Sequence, residues 1–258
     1  MGSYDRNSTE SPLLRLPAEL RVRVWRHTLG GETIHIGVHD NVIKSCICQS
    51  PVSDADKASI IKSLDEPTWY DTHPEHHLKC QLAMRVPEKL RTDSAPCLSL
   101  GVLASCRQIH HEAALLPFKE NIFHLGQEPI EWLGNLIFEQ AHAITSVVMT
   151  SRCCSWADSV MKTEFEDMLR GLKTIVMFEG TVANWKDAEL GGYVDGDGMP
   201  TSKEPILMLE NMPIEKATVA VYRSDDPDYE RQGANKAADN RWADEIERRL
   251  TAPSDGLS

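Results

Sequence analysis

Hydrophobic positions along the chain recur at two spacings, and the switches between them mark out the elements. Leu20, Val24 and Trp25 fall on one stripe of a helix, with arginines opposite. Pro17 suits the first helical position, Glu19 sits in the first turn where the helix dipole favours an anion, and Gly30-Gly31 stops the run. Glu32-Thr33-Ile34-His35-Ile36 then alternates and is rich in β-branched residues, which predicts a short strand. From about residue 45 to 97 neither period holds. Ser, Asp, Pro, His and Cys dominate there, so the stretch reads as an irregular insertion or a metal-organised loop. Leu100, Leu103, Cys106, Ile109, Ala113 and Leu116 return at three- and four-residue steps and predict one strong helix ended by Pro117. Residues 121–125 predict a second strand, and residues 130–143 a helix carrying Trp132, Leu136 and Ile137.

Three later runs, 144–149, 172–178 and 217–222, are short, apolar and β-branched. Between the first two lies a helical pattern that includes Trp156, Val160, Phe165, Met168 and Leu169 and ends at Gly171. Strand, helix and strand at this spacing imply parallel pairing through a right-handed crossover. A last helix is expected near 235–250, with Ala238, Trp242, Ile246 and Leu250 spaced by four. The fold class expected is mixed α/β, with a small, partly parallel, leucine-rich-repeat-like sheet. One domain is expected over 12–250, comprising a core at 98–180 and a C-terminal extension at 181–250. Residues 1–11 and 251–258 are expected to be disordered ends.

Composition narrows the class. At 258 residues, 41% hydrophobic and 26% charged, the chain has material for an ample core without staples. A formal net charge of −12 and a pI near 5.3 argue against a sequence-independent grip on nucleic acid or on an anionic membrane, so neither partner is expected. The start holds no apolar signal region, and no run approaches 18 apolar residues, which predicts an intracellular protein of cytosol or nucleus. The first fifty residues depart from the acidic balance, with 6 basic against 5 acidic side chains. Arg15, Arg21, Arg23 and Arg26 cluster there and read as a solvated helix face.

Seven cysteines, an odd number, read as reduced thiols or metal ligands rather than a disulfide frame. The densest donor set is Cys46, Cys48, His77 and Cys80, with His73 and His76 nearby. Three thiolates and an imidazole satisfy tetrahedral zinc, and structural zinc is the cofactor this set would take, in a spacing that matches no standard finger. Cys106 and His110 stand four apart on the strong helix, but Cys106 lies on its apolar stripe and reads as an inert core thiol. His35 and His124 occupy two strands able to pair, and read as ordinary strand residues. Asp195-Gly-Asp197-Gly lacks the flanking helix and the twelfth-position Glu of a calcium loop. Neither a P-loop, a dinucleotide fingerprint, a nucleophile elbow nor a zincin helix occurs, and no catalytic residue is identified.

Two blocks carry a family resemblance. Ser11-Pro-Leu-Leu-Arg-Leu-Pro-Ala-Glu-Leu-Arg-Val-Arg-Val-Trp25 followed by Gly30-Gly-Glu-Thr-Ile-His-Ile36 resembles the opening of a large filamentous-fungal family with an F-box-like start and no assigned activity. Leu103-Ala-Ser-Cys-Arg-Gln-Ile-His-His-Glu-Ala113 with Asn121-Ile-Phe-His-Leu125 resembles its second hallmark. An F-box is a small helical module that docks on the Skp1 adaptor of a cullin ubiquitin ligase. The resemblance therefore implies a non-enzymatic protein-interaction module and substrate adaptor with a Skp1-type partner. It assigns partner binding to Leu16, Pro17, Leu20 and Val24, with Glu19 in the same helix and Cys106 and Arg107 in a later one. About 75 residues separate the blocks, far more than in an F-box. The rival class, resting on His and Cys richness alone, is an enzyme that tailors or isomerises a small molecule in fungal specialised metabolism.

Overall fold

The computed structural model describes residues 11–39, 42–50, 52–63, 80, 98–125, 129–150, 165–181, 209, 212–223 and 236–252. Six segments form strands: β1 (Thr33–His39), β2 (Val42–Ile47), β3 (Ile122–Leu125), β4 (Ser146–Thr150), β5 (Thr174–Thr181) and β6 (Lys216–Arg223). They make one sheet in the order β2-β1-β3-β4-β5-β6, in which β1 and β2 are antiparallel and every other pair is parallel. Helices accompany the strands along the described chain. These are α1 (Ala18–Leu29), α2 (Asp54–Ser63), α3 (Arg107–Ala113), α4 (Leu116–Lys119), α5 (Pro129–Leu133), α6 (Phe138–Ala143) and α7 (Lys236–Leu250), with a 3-10 turn at Leu100–Ala104. The mixed α/β class expected from the sequence is the one found. None of the helices among the described residues is long and apolar enough to cross a membrane.

Period-two alternation sorts the strand residues onto two faces. On one, Ile34, Ile36, Phe123, Leu125, Val147, Met149, Ile175, Met177 and Val219 pack with Trp132, Leu133, Leu169, Ala243, Ile246 and Leu250 into the main core. On the other, Val148, Val176, Phe178 and Ala220 are covered by Ala58 and Ile61 of α2. One row of paired positions on this second face runs Cys46, His35, His124, Val148, Val176, Thr218 from β2 to β6. The row is apolar or neutral under the C-terminal half of α2 and turns to thiol and imidazole at the β2–β1–β3 end.

The two helices on opposite faces meet at the outer strand. Lys62 of α2 donates to Asp244 and Glu247 of α7, both at 2.9 Å. These two carboxylates raise the Lys62 pKa against the opposing effect of burial. Glu247 also accepts the backbone N–H of Val219 at 2.6 Å, so an edge-strand donor is occupied by a side chain rather than offered to another strand.

Three expectations need correction. The stretch from 45 to 97 is not wholly irregular: β2 and α2 lie within it. The single helix expected over 100–116 is broken, with Cys106 extended at φ −160°. The Ser105 hydroxyl takes the Val102 carbonyl at 2.6 Å, the acceptor a continuing helix would give to Cys106 N–H. Pro117 does not end that run but sits in the first turn of α4, where its missing N–H costs nothing. Likewise the helix expected over 130–143 is two, because Asn135 donates to the Glu131 carbonyl at 2.7 Å and Gln140 accepts Ile137 N–H at 3.2 Å.

Candidate functional site

Two places carry chemistry, and each is built from segments distant in sequence. The first is a helical platform. Trp25 and Leu29, one turn apart on α1, pack with Leu14 against Ile109 and Ala113 of α3, with Val102, Leu103 and Cys106 at the margin. Arg21 fastens the contact. Its Nε and Nη2 donate to both oxygens of Glu112 at 3.0 and 2.6 Å, and its Nη1 donates to the Leu16 carbonyl at 2.6 Å. Gln108 donates to the same carboxylate at 3.0 Å, and Trp25 Nε1 at 3.4 Å. The Arg21 guanidinium, helped by Gln108 and Trp25, pulls the Glu112 pKa from 4.5 down to about 2 against the opposing effect of burial.

Each resemblance block thus contributes one half of a fork-to-fork ion pair, Arg21 from one and Glu112 from the other. Arg21 is no member of a solvated face; its side chain is 13% exposed. Nor do Leu20 and Val24 share a stripe with Trp25. They turn away from it and stand 43% and 36% exposed while Trp25 is 1% exposed. Pro17 is exposed beside them and Leu16 half-buried. Asn121 seals the base of the platform: its Nδ2 donates to the Leu29 and Pro117 carbonyls at 2.7 Å, and its Oδ1 accepts Glu32 N–H at 2.8 Å.

The second place is the polar end of the second sheet face. Alternation in β1 turns His35 away from Ile34 and Ile36, and its partner across the antiparallel ladder is Cys46. Cys48 lies one residue past β2 and extends the ladder, its N–H donating to the Thr33 carbonyl at 2.7 Å. On extended chain a C-x-C spacing sets both thiols on one face, which a C-x2-C spacing would not. His35 Nε2 or Nδ1 and the sulfurs of Cys48 and Cys80 all lie within 4.8 Å of one another. No other trio of His, Cys, Asp or Glu among the described residues is so placed. Backbone N–H groups of the turn point at the sulfurs: Gln49 N–H at Cys80 Sγ, 3.3 Å, and Ser50 N–H at Cys48 Sγ, 3.4 Å.

Of the donors expected for zinc, then, the structure brings Cys48 and Cys80 together. Cys46 stands beside them with its thiol donating to the Cys80 carbonyl at 3.5 Å. His73, His76 and His77 lie outside the described residues. His35, read as an ordinary strand residue, stands with the two thiols. The sequence signal for it was its central place in β1, registered against Cys46. His124, its neighbour across the parallel ladder, lies against it with ring centroids 4.6 Å apart and planes tilted by 44°. Asp54, at the start of α2, approaches His124 Nδ1 at 4.0 Å and pairs with Lys57 at 3.1 Å in a buried contact.

The thiols are not primed for attack. The hydrogen bond with Cys80 and burial hold the Cys48 thiol far above its usual range. A nucleophilic cysteine needs the opposite, a thiolate favoured by positive charge. A cation between the two sulfurs would supply that charge. Cys106 and its neighbour His110 meet no third group that would make a catalytic set among the described contacts, and His110 and His111 are exposed.

A family described as a domain of unknown function, DUF7730, matches residues 6–152. The chain belongs to that family. No curated protein and no solved structure matches it. The matched stretch includes the Arg21–Glu112 platform, the His35, Cys48, Cys80 and His124 cluster, and strands β1 to β4; β5, β6 and α7 lie beyond it.

Proposed function

We propose that this chain is a non-enzymatic protein-interaction module that docks through Leu16, Pro17, Leu20 and Val24, with a Skp1-type adaptor of a cullin ubiquitin ligase as its partner. The observation that carries the reading is the exposure of Leu20 and Val24 on a helix whose other side is locked down. Apolar side chains one turn apart are the anchors of helix-in-groove recognition. The helix that bears them is held by Trp25, Leu29 and the Arg21–Glu112 fork, so little ordering cost falls on binding. The long insertion between the two resemblance blocks is compatible with this reading, because α1 and α3 pack together in spite of it. Substrate recruitment then falls to the sheet and the C-terminal elements.

Calorimetric titration of the purified chain with a purified Skp1-type adaptor tests it. Leu20→Asp and Val24→Asp are expected to weaken binding by ~10-fold or more, as the loss of one buried anchor requires. Ile137→Asp, a change at a side chain 60% exposed and outside the platform, is expected to leave binding intact. A folded chain that does not bind, or binds equally well with Asp at position 20, refutes the reading.

A further inference from the structure

We propose that His35, Cys48 and Cys80 bind one zinc ion, which fastens the chain at Cys80 to the β1–β2 end of the sheet. The proposal is independent of docking through α1.

The donor set selects the metal. Two sulfurs and one imidazole suit zinc, whereas calcium and magnesium ask for oxygen, and no carboxylate belongs to the trio. Zinc bonds of about 2.3 Å to sulfur and about 2.0 Å to nitrogen place donors of a tetrahedron about 3.5–3.8 Å apart. A trio already within 4.8 Å closes to that size by side-chain rotation. Three protein donors leave the fourth corner of the tetrahedron to a water, on the side of the half-buried Cys48, while Cys80 is 0% and His35 5% exposed. Gln49 and Ser50 N–H groups aim at the two sulfurs at 3.3 and 3.4 Å. The His124 ring lies against the His35 ring, and Asp54 stands 4.0 Å from His124 Nδ1, so the imidazole is flanked by a packed neighbour. The site also answers a question of connectivity. Cys80 is buried beside β2, where its carbonyl accepts the Cys46 thiol and its sulfur accepts Gln49 N–H.

Metal analysis of the full chain, purified without added metal and dialysed, is expected to give about one zinc per chain. Cys48→Ser, Cys80→Ser and His35→Ala are each expected to lose it, and Cys106→Ser and Cys46→Ser to retain it. Cobalt substitution of the unaltered chain keeps the test independent of whether a variant folds. A tetrahedral Co(II) spectrum with sulfur charge transfer of two-thiolate intensity is expected. Three-thiolate intensity with zinc loss in Cys46→Ser, retention of zinc in His35→Ala, a Cys48–Cys80 disulfide in the purified chain, or a chain that takes up neither metal would each overturn the proposal.

Discussion

Glu112→Gln removes a charge while keeping the side chain's size and one acceptor, so it isolates the ionic part of the platform lock. A carboxyl held at about 2 instead of 4.5 corresponds to ~3 kcal/mol of preference for the charged form in the folded chain. Water reaches both partners, at 13% and 19% side-chain exposure, and screens part of that. The expected loss in Glu112→Gln is therefore ~1–2 kcal/mol near neutral pH, or roughly 3–6 °C in Tm. The sign of the pH dependence follows from the direction of the shift. A carboxyl with a depressed pKa contributes its full stability above about pH 4.5 to 5, and loses it as the pH falls toward about 2. Urea unfolding of both chains from pH 7 down to about 3.5 should then show the gap between them narrowing with acid. A gap that stays constant or widens in acid, or no gap at pH 7, would refute the assignment of Arg21 and Glu112 as the lock.

Two other predictions concern backbone groups. Asn121→Leu leaves the Leu29 and Pro117 carbonyls and the Glu32 N–H without their side-chain partner in a site 1% exposed, and is expected to cost ~2–4 kcal/mol in denaturant unfolding; a loss below ~0.5 kcal/mol would show that the three groups find other partners. At Gly171 a methyl group would collide with the His142 carbonyl, so Gly171→Ala is expected to lower Tm clearly, whereas Gly101→Ala, with open space around it, should stay within ~0.5 kcal/mol of the parent.

The parallel sheet was legible because strands buried on both sides announce themselves as β-branched runs, and 144–149, 172–178 and 217–222 did so. β4, β5 and β6 occupy nearly those positions. β2 was not legible, since Lys44, Ser45 and Cys46 interrupt its apolar character, and its pairing with β1 is not a local feature of the sequence. The broken helix at Cys106 escaped for a different reason: its heptad-like spacing is real, but a serine hydroxyl competing for one carbonyl outweighs it. At the candidate sites the sequence did not reveal two of the pairings that the structure describes. Charge alone cannot tell a solvated arginine from Arg21, because the distinguishing residue, Glu112, is 91 positions away. Spacing along the chain suggested His77, which lies outside the described residues, and strand register adds His35, which spacing did not suggest. Both misses are pairings made by topology, which no local pattern encodes.

Amide hydrogen exchange of the chain alone and with a purified Skp1-type adaptor in excess tests the docking surface most directly. Added protection is expected over residues 16–24, where Leu20 and Val24 stand exposed, and none over Phe138–Ala143, whose Phe138 is 60% exposed but which contributes nothing to the platform. Protection confined to other segments, or no change anywhere, would contradict it.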